Sequence, residues 1–231
     1  MSRYGVPVVP LWTTHARTAQ SGGPVLVNAL PELQPGRSRF GPGVHFVGPL
    51  VGAVLPGDRD VSWLSGSDRT LVVATGTVFA RPAEFFRNIV DAFTGTGWTV
   101  ILATARLPVE HLGVLPRNVH AHRWIPQSMA LERASVFLTH AGMNSVHEAV
   151  LAGVPMISAP HSREQRLTAA RLRELGVAVP LGHWSELVGQ AARMTSDPLV
   201  HQSSQRMKSR AAAAGGAVSA ADLLLEIADR R

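Results

Sequence analysis

The sequence predicts an α/β protein built on a Rossmann-like parallel sheet with helices on both faces. Two observations carry that expectation. From residue 70 onward, short β-branched runs alternate with segments of helical period, the pattern of a parallel sheet covered on both sides. The 231 residues, 45% hydrophobic and only 16% charged, suffice to bury one substantial core.

The elements follow in order. "TLVVAT" (70–75) reads as a buried strand and "GTVFARP" (76–82) as the turn leaving it. "PAEFFRNIVDAF" (82–93) sets Phe85, Phe86, Ile89, Val90 and Phe93 on one side of a helix. "WTVILAT" (98–104) is a second strand, "NVHAHRW" (118–124) an alternating third and "SVFLT" (135–139) a fourth. "NSVHEAVLAG" is a short helix stopped at Gly153, "VPMISAP" (154–160) a fifth strand, and "REQRLTAARLRELG" a helix stopped at Gly176. "VAVPL" (177–181) is a sixth strand, and the remainder is helical with a break near "AAAAGGA" (211–217). Residues 1–68 are rich in Pro and Gly; only "PVLVNAL" and "VHFVGPL" suggest short strands there, and the stretch reads as a connector or the tail of something larger.

Composition narrows the class. Cys is absent, which rules out disulfides and thiolate metal sites and suits a cytoplasmic location. The opening "MSRYGVPVVPLW" lacks the unbroken apolar core of a signal peptide, and the apolar run "AVLAGVPMISAP" contains prolines and is too short to span a bilayer. A soluble protein without a membrane span is expected. The formal charge is +6, carried almost wholly by arginines, with Lys208 the only lysine. Those arginines are scattered and no aromatic cluster accompanies them, so no nucleic-acid partner is expected.

Function concentrates in "FLTHAGMNS" (137–145). In open α/β sheets, ligands sit beyond the strand carboxyl ends, where loops run into helix N-termini. "SVFLT" delivers His140 to that edge, Gly142 permits a sharp turn and close ligand approach, and Asn144 and Ser145 lie where a helix begins. Free N–H groups and the positive end of the helix dipole attract an anion there. The dipole supplies only about 0.3–2 kcal/mol, so imidazole and hydroxyl donors would be needed for firm phosphate binding. Taken alone, the motif reads better as a helix cap beside a core histidine.

It does not stand alone. "WIPQ" (124–127), "HAGMNSVHEA", "GVPM" (153–156) and "PHSREQ" (160–165) resemble, in order and spacing, the nucleotide-sugar signature of the UDP-glycosyltransferase family, with bacterial natural-product, macrolide-type members nearest in flavour. The resemblance extends through "VHFVGPL", "LVVATGTV", "LPRNVHAHRW" and "LRELGVAVPL", covering most of residues 25–229. It implies the carboxyl-terminal, donor-binding half of a two-domain GT-B fold. It further implies that Trp124 stacks on the base with Gln127 near base and ribose, and that Glu148 accepts from ribose hydroxyls. His140, Gly142, Asn144 and Ser145 would hold the diphosphate, Gly76 and Thr77 would form a first phosphate-side loop, and Glu164 and Gln165 would read sugar hydroxyls. Each has a plainer structural alternative: a core Trp, a solvated helix carboxylate, an ordinary strand-to-helix turn, or the first turn of a surface helix. Ala74 and Thr75 stand where many members have Ser and an apolar residue, and Thr168 where Asn is frequent.

The resemblance implies hexosyl transfer with inversion from a UDP- or TDP-sugar, with no metal or other cofactor. His120 and His122 lack the acidic or Cys companions of a metal site and suit strand alternation better. Residues 1–48 are expected to be a remnant of the amino-terminal domain plus linker, and 49–231 the donor domain. The acceptor pocket and general base belong, in the family, to the amino-terminal half; His15 does not sit in its base motif, so no catalytic residue is assigned. Expected partners are a nucleotide-sugar and, through an amino-terminal domain, a small-molecule acceptor, with a hetero- or homo-oligomer possible. The alternative reading is a non-catalytic nucleotide-sugar-binding or regulatory subunit. A dinucleotide dehydrogenase fits poorly, because "TGTG" (94–97) follows a helix rather than a strand.

Overall fold

A computed structural model describes residues 24–36, 40–52, 69–77 and 81–229. Outside it fall His15 with the rest of residues 1–23, residues 53–68 of the Pro- and Gly-rich stretch, and residues 78–80 of the turn after the first long strand. The chain divides into two compact units, one of residues 1–50 with 214–231 and one of residues 51–213.

The smaller unit holds two three-residue strands, β1 (Val25–Val27) and β2 (Val44–Phe46), paired in parallel with Val25 opposite Val44. Asn28 ties the end of this segment back, its Oδ1 accepting from the Leu50 N–H at 2.6 Å. The helix Gly216–Asp229 belongs to the same unit.

The larger unit is a six-stranded, wholly parallel sheet. Its strands are β3 (Thr70–Ala74), β4 (Thr99–Ala103), β5 (Val119–His122), β6 (Val136–Thr139), β7 (Met156–Ser158) and β8 (Ala178–Pro180). They lie in the order β5-β4-β3-β6-β7-β8. Chain direction across the sheet therefore reverses between β3 and β6, and Ala74 ends up level with both Ala103 and Thr139. That reversal opens a crevice beyond the strand carboxyl ends, the usual ligand position in this architecture. All five residues of β3 and all four of β6 are buried, which explains why these runs are continuously apolar rather than alternating.

Helices cover the sheet. α1 (Ala83–Phe93) buries the five apolar residues its period assigned, Phe85, Phe86, Ile89, Val90 and Phe93. Phe85 meets Phe86 and Trp184 edge-on, and Phe93 meets Trp98 the same way, with centroids 5.3–5.8 Å apart. α2 (Gln127–Glu132) is a six-residue helix missed by the sequence reading, because so few residues after Pro126 cannot display a period. α3 (Met143–Ala152) stops at Gly153 in a left-handed conformation, as expected from the sequence. α4 (Arg163–Glu174) starts with a reciprocal capping box: the Gln165 N–H donates to Ser162 Oγ at 3.2 Å, while Gln165 Oε1 accepts from the Ser162 N–H at 3.3 Å. α5 (Leu187–Ser196) and α6 (Pro198–Ala213) complete the unit, and α7 is the Gly216–Asp229 helix of the smaller one. Among the described residues, Pro198–Asp229 passes as long and apolar enough to cross a bilayer. However, α6 has 16 residues and α7 has 14, each below the roughly 20 of a typical span, and Gly215 between them and Gly216 at the start of α7 take positive φ.

Two predictions come from this packing. Phe86 is fully buried in the aromatic cluster, so Phe86→Ala should destabilise the chain by about 3–5 kcal/mol in urea unfolding. His147, on the buried face of α3, is 1% exposed, and burial lowers its pKa to about 4. A histidine depressed in the folded state is neutral there, whereas the unfolded chain takes up a proton near its ordinary value, about 6.5. Stability is thus complete above pH 6.5 and drains away as pH falls towards 4. Unfolding at pH 7 and pH 5 should show the loss, and His147→Leu should show a smaller one.

Candidate functional site

β6 brings His140 to the sheet edge at the reversal point, and the backbone beyond it is tightly constrained. Ala141 is fully buried with φ +62°, a left-handed conformation that costs a non-glycine residue about 1–2 kcal/mol. Thr139 helps to hold it, its Oγ1 accepting from the Ala141 N–H at 3.2 Å. Gly142 then caps α3 in extended conformation, and no side chain caps that N-terminus. The first bond linking cap and helix runs from the Val146 N–H to the Gly142 carbonyl, so the amides of Met143, Asn144 and Ser145 precede the ladder.

The His140 ring is wedged between two loops. A Cβ added at Gly142 would collide with its Nε2, and one at Gly76 would stand 2.8 Å from the same atom. Gly76 also has φ +84°, so both space and backbone conformation call for glycine there. Gly76 and Thr77 follow β3, and Gly142 follows β6. His140 therefore joins the loops on the two sides of the crevice. Its pKa is lowered to about 4, first by burial and then by the nearby charges of His161 and Arg81, with the Ala74 backbone opposing. At neutral pH the ring is uncharged and offers a hydrogen bond rather than a cation.

Beside this wedge lies a cavity of about 370 Å³. Its lining includes Ala74, Thr75, Gly76 and Thr77 after β3, Ala103 and Ala105 after β4, the segment Arg123–Ser128, and Glu148 from α3. Trp124 is 60% exposed although its neighbour Ile125 is 97% buried, so the indole presents a bare aromatic face at the rim. That settles against the core-Trp alternative. Glu148 is half-buried and held from α2: Gln127 Nε2 donates to its Oε2, and Ser128 Oγ donates to its Oε1 at 3.4 Å. Burial raises the Glu148 pKa, and the two hydrogen bonds oppose that rise. Gln127 Nε2 also lies 3.2 Å from Ser145 Oγ, linking the tryptophan segment to the first turn of α3.

Gly76, Thr77, Trp124, Gln127 and Glu148 are thus gathered on one cavity, with Ser145 attached through Gln127, and His140 and Gly142 through Gly76. Asn144 and Glu164 are exposed and do not line it. Gln165 is engaged in the α4 cap, yet its segment still approaches the wedge, because the His161 ring stacks on His140 with centroids 6.0 Å apart. His161, Arg81, Ser128 and Arg123 were not singled out from sequence. His161 lies inside the "PHSREQ" motif. Arg81 carried no signal, since it stands 59 positions before His140 in the chain and meets it only on folding. Among the described residues, no three His, Cys, Asp or Glu side chains cluster as metal ligands would.

Several known proteins resemble the chain over most of its length. NDP-glycosyltransferase YjiC of Bacillus licheniformis is 34% identical over 196 residues, covering 82% of this chain and 50% of that protein. Oleandomycin glycosyltransferase of Streptomyces antibioticus is 34% identical over 224 residues, covering 92% of this chain and 51% of that protein. The crystal structure of CalG4, the calicheamicin glycosyltransferase, superposes with a TM-score of 0.78 at 32% identity, over 90% of this chain and 54% of that one. The chain spans about half the length of each of these relatives. With residues 59–195 matching the family profile as well, the chain belongs to the UDP-glucoronosyl and UDP-glucosyl transferase family and has the carboxyl-terminal half of its GT-B fold.

Proposed function

We propose that this chain is the donor-binding module of an inverting glycosyltransferase that takes a UDP- or TDP-sugar and passes its hexosyl unit to a small-molecule acceptor. The acceptor pocket and general base come from an amino-terminal domain, on the same polypeptide or a separate one, and the enzyme works in solution in the cytoplasm. One observation carries the reading: a bare indole and a half-buried carboxylate share a cavity with the Gly76 loop, and His140 backs that loop beside the start of α3. In this arrangement the base lies on Trp124, the ribose hydroxyls reach Glu148, and the diphosphate meets the wedge and the uncapped amides of α3. Gly142, Asn144 and Ser145 line the phosphate path; Glu164 and the amide of Gln165 face the sugar.

The chemistry suits those parts. Transfer breaks the bond between the anomeric carbon and the terminal phosphate oxygen through an oxocarbenium-like state, and charge grows on the departing diphosphate. Fixed N–H donors aimed at that charge act where it develops, and losing one such donor costs roughly 3 kcal/mol. The donors present here are protein groups, and the proposed reaction needs neither a metal nor another cofactor.

Two outcomes test this. In calorimetry with UDP and TDP, Trp124→Ala should weaken binding about 5- to 150-fold, the range set by roughly 1–3 kcal/mol of base stacking. Wild-type protein that binds neither nucleotide would refute the reading. For transfer, the chain alone should be feeble, because a positioned base contributes about 10²–10⁴-fold. Adding an amino-terminal half from a relative should raise sugar transfer by at least that lower factor, and robust transfer by the chain alone would contradict the division of labour.

A further inference from the structure

Among the described residues, the lining of the cleft offers one cation, Arg123, exposed beside Trp124 at the base end; the wedge end offers none so far. His140 is neutral at pH 7, and a helix N-terminus contributes only a partial positive charge. Arg81 stands at the far side of the same wedge. Its Nη2 donates to the Ala159 carbonyl beyond the end of β7, and its guanidinium carbon lies 4.7 Å above the Phe85 ring. These contacts fix the side chain without neutralising it. Its Nε is buried with no hydrogen-bond partner, and no carboxylate pairs with it among the described residues. Burial lowers its pKa from the ordinary value, and its charge in turn depresses both His140 and His161. A half-buried guanidinium with no pairing carboxylate, set beside two imidazoles, is unfavourable by itself. A bound anion removes that penalty.

Position indicates which anion. The groups run in one sequence: Trp124 at the cavity rim, Gly76 on the cavity wall, His140 against Gly76, then His161 stacked on His140, with Arg81 bonded to the Ala159 carbonyl two residues before His161 and adding to the burial that lowers both imidazoles' pKa. If the base occupies the Trp124 end, as the proposed function has it, the imidazole–guanidinium end receives what lies farthest along a nucleotide-sugar. We propose that Arg81 and His161 form the subsite for the terminal phosphate, the one that carries the sugar and departs with the charge. Arg81 is then the cation that makes the cleft prefer a nucleoside diphosphate to a monophosphate, and its guanidinium retains unused N–H donors for that phosphate.

The test is calorimetry of the full chain with UDP, UMP and UDP-glucuronic acid, for wild type, Arg81→Gln, Arg81→Lys and His161→Ala. Arg206→Gln, an exposed arginine on α6, controls for net charge. Arg81→Gln should weaken UDP about 10-fold while UMP changes less than 2-fold. Arg81→Lys, which keeps charge and stem should a folding defect affect the glutamine variant, should recover part of the loss. His161→Ala should shift the same UDP-to-UMP ratio in the same direction. Equal losses for UDP and UMP, or no loss for either, would overturn this inference while leaving the donor reading intact. A loss confined to UDP-glucuronic acid would overturn it too, because the anion would then be a sugar carboxylate. Wild-type protein binding no nucleotide would overturn both.

Discussion

The approach of two loops to one imidazole governs this half-fold. A parallel sheet whose strand order reverses between β3 and β6 leaves a crevice at its carboxyl edge, but the crevice has a defined shape only because the His140 ring fills the space between Gly76 and Gly142. Any side chain at either glycine would press on the ring, so the loops are set at a spacing that only hydrogen side chains allow. The left-handed Ala141 between ring and helix is the cost of that turn, and burial together with the Thr139 hydroxyl holds it in place. From this wedge the remaining parts take their positions: the first turn of α3 on one side, the Gly76 loop on the other, and the His161 segment behind.

A second constraint runs across the cavity. Gln127 lies one helix away from Glu148 and Ser145, yet its single amide nitrogen addresses both, and Ser128 shares the carboxylate. The segment that carries Trp124 is therefore fastened to α3 rather than free to drift as a loop. An exposed indole on a fastened segment offers a flat surface at a fixed angle, which lowers the ordering cost of stacking. The same bonds favour the ionised form of Glu148 and oppose the rise in pKa that burial causes.

Much of this was legible in the residues. The six strands of the main sheet and the helix of Phe85, Phe86, Ile89, Val90 and Phe93 could be read because periodicity is local, and the stop at Gly153 because one residue type marks it. The motif residues that share the cavity could be named because they match the signature of a known family. α2 escaped because six residues hold less than two turns of signal. Arg81 escaped for a different reason: its partners are a carbonyl 78 residues later and two rings brought near by the sheet, and long-range pairing leaves no trace in spacing. Gln165 was read as a sugar contact, and its part in the α4 cap was overlooked although "SREQ" carries the capping pattern.

That cap limits what can stand in place of Gln165. The carbonyl oxygen of Gln165 is spoken for by backbone amides of Ser162 and His161, so only its nitrogen remains to greet a passenger molecule. A shorter or apolar replacement would forfeit the side-chain half of the capping box, while Ser162 Oγ would still accept from the backbone N–H of residue 165. Glutamate is the replacement that keeps an accepting oxygen for the cap while exchanging the free amide donor for an acceptor, so the choice at this corner is between two chemistries rather than a continuum.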